Sequence, residues 1–244
     1  MARARWIAVV GGLGYAPIAP GTFGSLLGVL LFVAAARVAG HAGVGPLAAV
    51  STATGDSGAT VGSDGAVMGA IVGLGYLAAV MVMLLVGVWA SRVSERAFGT
   101  KDDGRIVIDE VVGQLIALMP LLFASGLASA SAAAPGNAPL RLGMTANSFS
   151  FFCWVVTGFV LFRLFDITKP SAVRWAERRF EGGLGVMMDD VVAGVFAAIT
   201  LVALHTALRM TGIDGLSGIP GLTQGLEVAG VGSGDGSAWL GGRR

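Results

Sequence analysis

The chain has 244 residues, of which 55% are hydrophobic and only 13% charged, and its formal net charge is +1. A soluble domain carries about a quarter charged residues, so this composition, with a mean hydropathy of +0.78, excludes an ordinary soluble globule and points to a membrane protein. The near-neutral charge gives no footing for nucleic acid, and the single cysteine, Cys153, rules out an internal disulfide and a cysteine-based zinc site.

The basic start "MARARWIAVVGG" is followed by a short apolar stretch broken by Gly and Pro, a poor secretory signal. "PIAPGTFGSLLG" then places Pro17 and Pro20 before Gly21-Thr22, where a helix should open. Thr22 reads either as a plain N-cap or, with Gly21, as a turn offering N–H groups and a hydroxyl to an anion.

Apolar segments long enough to span a bilayer fall at about 22–39, 66–90, 111–128, 149–165 and 191–208. The expected fold class is therefore all-α, a polytopic bundle of about five transmembrane helices in one domain, residues 1–210. Residues 40–65 and 129–148 read as outer loops, the first rich in Gly, Ser and Thr, and 211–244 as a Gly-rich, disordered tail. Neither 40–65 nor the tail is expected to carry chemistry.

Basic residues sort to one side. Arg3 and Arg5 precede the first span. Arg92, Arg96, Lys101 and Arg105 fall between the second and third, and Arg163, Lys169, Arg174, Arg178 and Arg179 between the fourth and fifth. The positive-inside rule puts the N-terminus and the loops 91–110 and 163–190 in the cytoplasm.

Ten of the fifteen acidic residues sit on that same face. Two junctions there look alike: "IDEVVGQLIALM" opens the third span with Asp109 and Glu110, and "MDDVVAGVFAAI" opens the fifth with Asp189 and Asp190. A carboxylate deep in lipid costs roughly 2.5–3.5 kcal/mol, so acids at these positions need a reason. One reason is helix capping. The other is a shared site in which four facing carboxylates, which would otherwise repel, hold a cation; oxygen-only donors suit Mg2+ or Mn2+ better than zinc. In "KDDGRIVIDE" the Asp-Gly turn could fold Asp102 or Asp103 back toward the same place.

In "FRLFDITKP" the residues Arg163, Asp166 and Lys169 share an arc of one helix before Pro170 stops it. They read as a surface ion pair with a positive-inside anchor, or as a phosphate grip beside a metal ligand, Arg as a fork and Lys as a point charge. "SAVRWAERRFEGG" reads as a short amphipathic helix on the anionic leaflet, or as a solvated turn of helix, ended by Gly182-Gly183. His41 and His205 lie away from the acids.

Together, "PIAPGTFGSL", "DDGRIVIDEVVG" and "FRLFDITKPSAVRWAERRFEGGLGVMMDDVVAG" resemble the phosphatidylglycerophosphatase A family, in order across most of the chain. The resemblance implies a multi-pass inner (plasma) membrane enzyme. It would remove the terminal phosphate of phosphatidylglycerophosphate with Mg2+, the active site facing the cytoplasm. By motif position the resemblance carries over Asp109, Glu110, Asp166, Lys169, Arg174, Asp189 and Asp190, with Gly21 and Thr22 matching the Pro-Gly-Thr turn. Joined to the reading of the charges, the expected roles are Asp109, Glu110, Asp189 and Asp190 as metal ligands; Asp166, Lys169, Arg163 and Arg174 as catalytic groups; and Gly21, Thr22 and Asp103 in substrate binding. Where the family often has Asp-His-Gly, Trp and Lys-Pro-Trp-Pro, this chain has Asp102-Asp103-Gly104, Ile108 and "KPSA". The alternatives are another lipid phosphatase on the same scaffold and a cation-coupled transporter, which would place acids near mid-bilayer. The lipid substrate and the membrane are the expected partners; the sequence sets no oligomeric state.

Overall fold

The computed structural model describes residues 2–41, 63–100, 103–131 and 148–210. Most of the expected loop 40–65, residues 132–147 of the second loop and the tail 211–244 lie outside these. Every regular element among the described residues is helical. They are α1 (Ala2–Ala8), a short 3-10 segment (Val10–Tyr15), α2 (Pro20–His41), α3 (Ser63–Phe98), α4 (Ile108–Ser131), α5 (Ser148–Thr168), α6 (Ser171–Arg179) and α7 (Gly183–Met210).

Among the described residues, four helical stretches are long and apolar enough to cross a membrane: Pro20–Gly40, Val67–Phe98, Phe151–Thr168 and Gly183–Leu208. The remaining expected span, 111–128, falls within α4, which differs from these in its burial. Val111, Val112, Gln114, Leu115, Ala117, Leu118, Leu121 and Leu122 are all buried, so α4 is the enclosed axis of the bundle. By contrast α2, α3 and α7 turn large side chains such as Leu30, Leu74, Leu85 and Ile199 outward, as suits helices solvated by lipid.

Several boundaries depart from the sequence expectation. α3 continues to Phe98, so Arg92, Glu95 and Arg96 are helical rather than in a loop. α2 starts at Pro20, whose fixed φ and missing N–H suit the first helical position; Thr22 is therefore in the first turn and is not the N-cap. The short α6 ends at Arg179, before the glycines; Gly182, at φ +60°, stands immediately before α7, which Gly183 begins, and its carbonyl accepts the Val186 N–H at 3.3 Å. The Asp189-Asp190 pair thus lies well inside a helix, which removes N-terminal capping as its explanation.

Lipid tails give helices no hydrophobic reason to associate, so close packing must do it. Glycine supplies the approach. On α2, Gly21, Gly24 and Gly28 form one stripe against α4: a Cβ on Gly24 would lie 2.7 Å from the Val107 carbonyl oxygen, and one on Gly28 would lie 2.8 Å from Gln114 Cβ. α4 and α7 run in the same direction and meet through Gly113 and Gly194. A Cβ on Gly194 would overlap the Gly113 carbonyl oxygen, and one on Gly113 would lie 2.8 Å from the Asp190 carbonyl oxygen. Each glycine stands four residues after an acid, Asp109 and Asp190. On the α3 side, Tyr76 donates its hydroxyl to the Leu115 carbonyl oxygen at 2.8 Å. Phe32 stacks on Phe151 and meets Tyr76 edge-on, both at 6.2 Å.

Gly194→Ala should lower the thermal midpoint in detergent by at least about 2 °C, the cost of overpacking being about 1–3 kcal/mol. Gly75, whose added Cβ would meet nothing within 4 Å, should tolerate alanine or gain from it. Equal midpoints for the two variants would contradict the crossing described here.

Candidate active site

The glycine crossing fixes where the acids go. With α4 and α7 in backbone contact, side chains one turn before each glycine converge. Carboxylate oxygens of Asp109, Glu110 and Asp190 all lie within 4.8 Å of one another. The two helices repeat one local arrangement: Asp109 Oδ1 accepts the Glu110 backbone N–H at 3.1 Å, and Asp189 Oδ1 accepts that of Asp190 at 3.0 Å. Asp109 and Asp190 are buried, and Glu110 keeps one carboxylate oxygen, Oε2, buried with no partner.

A third helix, α5, brings Arg163 and Asp166 to the cluster. Arg163 Nη1 donates to Asp166 Oδ2 at 2.5 Å and reaches Ser25 Oγ on α2 at 3.4 Å; Ser25 in turn donates to the Gly21 carbonyl at 3.0 Å. Asp166 is close enough to Asp190 for the two carboxylates to interact. Gly21 completes the wall: a Cβ there would overlap Glu110 Oε1 and stand 3.4 Å from Arg163 Nη1. The Gly21 position is thus required by close approach, whereas Thr22 is half-buried beside it.

Asp189 is placed differently from its neighbour. It lies outside the three-carboxylate cluster, and its Oδ2 accepts from Lys169 Nζ at 2.9 Å. Lys169 itself has φ +41°, and its N–H bonds the Phe165 carbonyl at 3.0 Å. This is a left-handed cap closing α5, a conformation that costs a non-glycine residue about 1 kcal/mol. Pro170, which cannot continue the helix, follows.

The last two candidates stand apart from the cluster. Arg174 is exposed on α6 and forms no ion pair among the described residues. Asp103 is tied into its own loop: Arg105 grips it through Nε at 2.7 Å and Nη2 at 2.6 Å, Thr100 donates to it at 2.7 Å, and Arg105 lies 3.9 Å over the Phe98 ring. The Arg105 hydrogen bonds hold the Asp103 carboxyl well below the usual carboxylate range. The loop is anchored further by Val107 N–H on the Ala8 carbonyl at 3.0 Å. Asp102 lies outside the described residues.

Three carboxylates this close and this buried repel unless a proton or a cation stands between them. The donor set is oxygen only, Glu110 Oε2 is an acceptor without a donor, and no cationic side chain bonds Asp109 or Asp190 among the described residues. These features fit a hard divalent cation such as Mg2+. Ser25 and Gln114, a fully buried amide one turn beyond Glu110, are site-adjacent polar groups that the reading of charges passed over. A glutamine within an expected span was the available signal.

The profile of the family described as Phosphatidylglycerophosphatase A matches residues 6–205. A Bacteroides thetaiotaomicron protein, provisionally named a phosphatidylinositol-3-phosphatase, is 33% identical over 190 residues, 78% of this chain and 86% of its own length. Proteins named phosphatidylglycerophosphatase A from Escherichia coli and Haemophilus influenzae are 35% identical over 123 residues and 30% over 130. Those two matches span 56% and 64% of the relatives' own lengths. No solved structure matches the chain.

The backbone at Lys169 yields a check independent of chemistry. Lys169→Gly should exceed Lys169→Ala in stability by about 1 kcal/mol, because only glycine adopts positive φ without cost; thermal midpoints in detergent decide it. A more stable alanine variant would mean the cap is not left-handed.

Proposed function

The chain belongs to the phosphatidylglycerophosphatase A family, and from that premise we propose that it hydrolyses the terminal phosphomonoester of phosphatidylglycerophosphate, releasing phosphate and leaving phosphatidylglycerol. The observation that carries this reading is the convergence of Asp109, Glu110 and Asp190 toward one end of the apolar bundle, with Arg163 and Asp166 beside them. At that depth a lipid can present its phosphate while its acyl chains stay among the lipid-facing helices.

Asp109, Glu110 and Asp190 would hold Mg2+, with Asp189 held next to them by Lys169. When bound, the ion supplies charge neutralisation at the phosphoryl oxygens and acidifies water. The protein's own groups then divide the work. Arg163 pairs with Asp166 and, like the Glu110 carboxylate, borders Gly21; turning its fork from Asp166 to the substrate neutralises the equatorial oxygens. Asp166, released from that pair, accepts the proton of the attacking water. The alternative, in which an aspartate attacks phosphorus and the acyl phosphate is then hydrolysed, is separated from this one by trapping 32P on the protein.

Lys169 sits at the rim, where its ammonium, shared with Asp189, can meet a phosphate oxygen of the incoming lipid. Gly21 keeps the cluster wall thin; with the Thr22 N–H taken by the Ala19 carbonyl, the first turn of α2 has the Gly21 N–H and the Thr22 hydroxyl to offer an anion. Arg174, exposed on α6 next to the exposed Trp175, suits an amphipathic helix at the headgroup layer. Asp103 acts on substrate only if its loop opens. The basic-residue asymmetry supports a cytoplasmic orientation for this end of the bundle, in the plasma membrane on this reading.

The long match to the Bacteroides protein supports a second reading on the same scaffold, hydrolysis of a phosphoinositide monoester. One assay separates them: phosphate release by the purified protein in detergent from phosphatidylglycerophosphate and from phosphatidylinositol 3-phosphate, with Mg2+ and with EDTA. Preference for the first substrate and abolition by EDTA are expected. Asp109→Asn, Glu110→Gln and Asp190→Asn should each cut kcat about 100-fold or more, at least roughly 3 kcal/mol of barrier, without loss of fold. Undiminished turnover in these variants would remove the carboxylates from the chemistry.

A further inference from the structure

Below the carboxylates lies a second polar layer that the reaction as described does not use. Gln114 stands one turn beyond Glu110 on α4, so the two side chains share a face. That face meets the glycine stripe of α2: Gly24 is against Glu110 Cβ, and Gly28 is against Cβ and Cγ of Gln114. Gln114 has no exposed surface, and neither its Oε1 nor its Nε2 has a partner. Glu110 Oε2 is likewise buried and unpartnered.

Long side chains on a helix lean toward its N-terminus. Glu110 does so, from Cβ at Gly24 to the carboxylate at Gly21. The same lean would direct the Gln114 carboxamide from Gly28 toward the level of Ser25, whose buried hydroxyl accepts from Arg163 and donates to the Gly21 carbonyl. Packing alone does not account for a glutamine here. Leucine or methionine fills a similar volume, whereas an unmet buried amide costs about 1–3 kcal/mol.

We propose that Gln114 is a positioning residue for Glu110: a water enclosed between α2 and α4 bridges its carboxamide to Glu110 Oε2 and holds the carboxylate in the rotamer that completes the three-oxygen cluster. This rests on the cation-binding role given above to Asp109, Glu110 and Asp190. The bridge suits its parts. An enclosed water takes about three hydrogen bonds from polar groups otherwise unmet, and the carboxamide, Glu110 Oε2 and the Ser25 hydroxyl supply both donors and acceptors. Groups that orient a ligating carboxylate without touching the ion set metal affinity in this way.

The test is equilibrium binding of Mn2+, followed by electron paramagnetic resonance on detergent-solubilised protein without substrate, together with the thermal midpoint. Gln114→Leu should bind Mn2+ about tenfold or more weakly while still unfolding cooperatively at a thermal midpoint close to wild type, so that the loss is one of affinity and not of fold. Gln114→Glu, which keeps the length and the acceptor, should stay nearer wild type than Gln114→Leu. If Gln114→Leu does not fold, Gln114→Met is read in its place. Wild-type affinity in the apolar variant would overturn the positioning role and leave the cation site standing. Absence of Mn2+ binding in the wild-type protein would instead remove the site itself, and this inference with it.

Discussion

Repulsion between carboxylates is the constraint around which the molecule is arranged. Asp109, Glu110 and Asp190 come from two helices and lie within 4.8 Å of one another in a largely dehydrated setting. In a medium of low polarity such a cluster would drive its helices apart. Two things oppose that. The crossing of Gly113 and Gly194 puts backbone against backbone, so the two helices are held in close contact there, one turn from where the acids meet. The remaining imbalance is electrostatic and calls for a positive charge, which the oxygen-rich donor set is suited to take as a divalent ion.

The surrounding groups are distributed by the same need. Arg163 and Lys169 each pair with one acid, Asp166 and Asp189, and neither enters the three-carboxylate cluster. The bundle thus separates acids that already have a cation from acids that do not. The paired set forms the rim and the unpaired set the centre. A phosphomonoester brings negative charge of its own, so it is attracted only where both kinds of positive charge, side-chain and bound, are within reach.

Much of this was legible in the residues. The likeness of "IDEVVG" and "MDDVVAG" identified two helices entering from one side with acids at equivalent places, and the structure brings one acid from the second helix to both acids of the first. The proximity of Arg163 and Asp166 followed from helical spacing alone. The partner of Asp189 was not legible. Two adjacent acids on a helix point about 100° apart, so one faces the cluster and the other Lys169, and which does which depends on how α7 is rotated against α4. Gln114 escaped notice for a related reason: a polar residue inside an apolar helix declares itself only once its face is known.

The sequence by itself determined that the chain is a bundle of apolar helices, that its charged groups gather toward one end, and that the pattern of acids suits oxygen-ligand chemistry. Composition and periodicity decide these things because lipid penalises every charge and every unpaired peptide group. Only the tertiary structure decided that α4 is the enclosed axis, that α7 begins well before its acids, and that Asp190 rather than Asp189 joins Asp109 and Glu110. Those outcomes depend on the approach and rotation of helices packed through glycine. A missing side chain sets how close two helices can come, but it names neither the neighbour nor the angle.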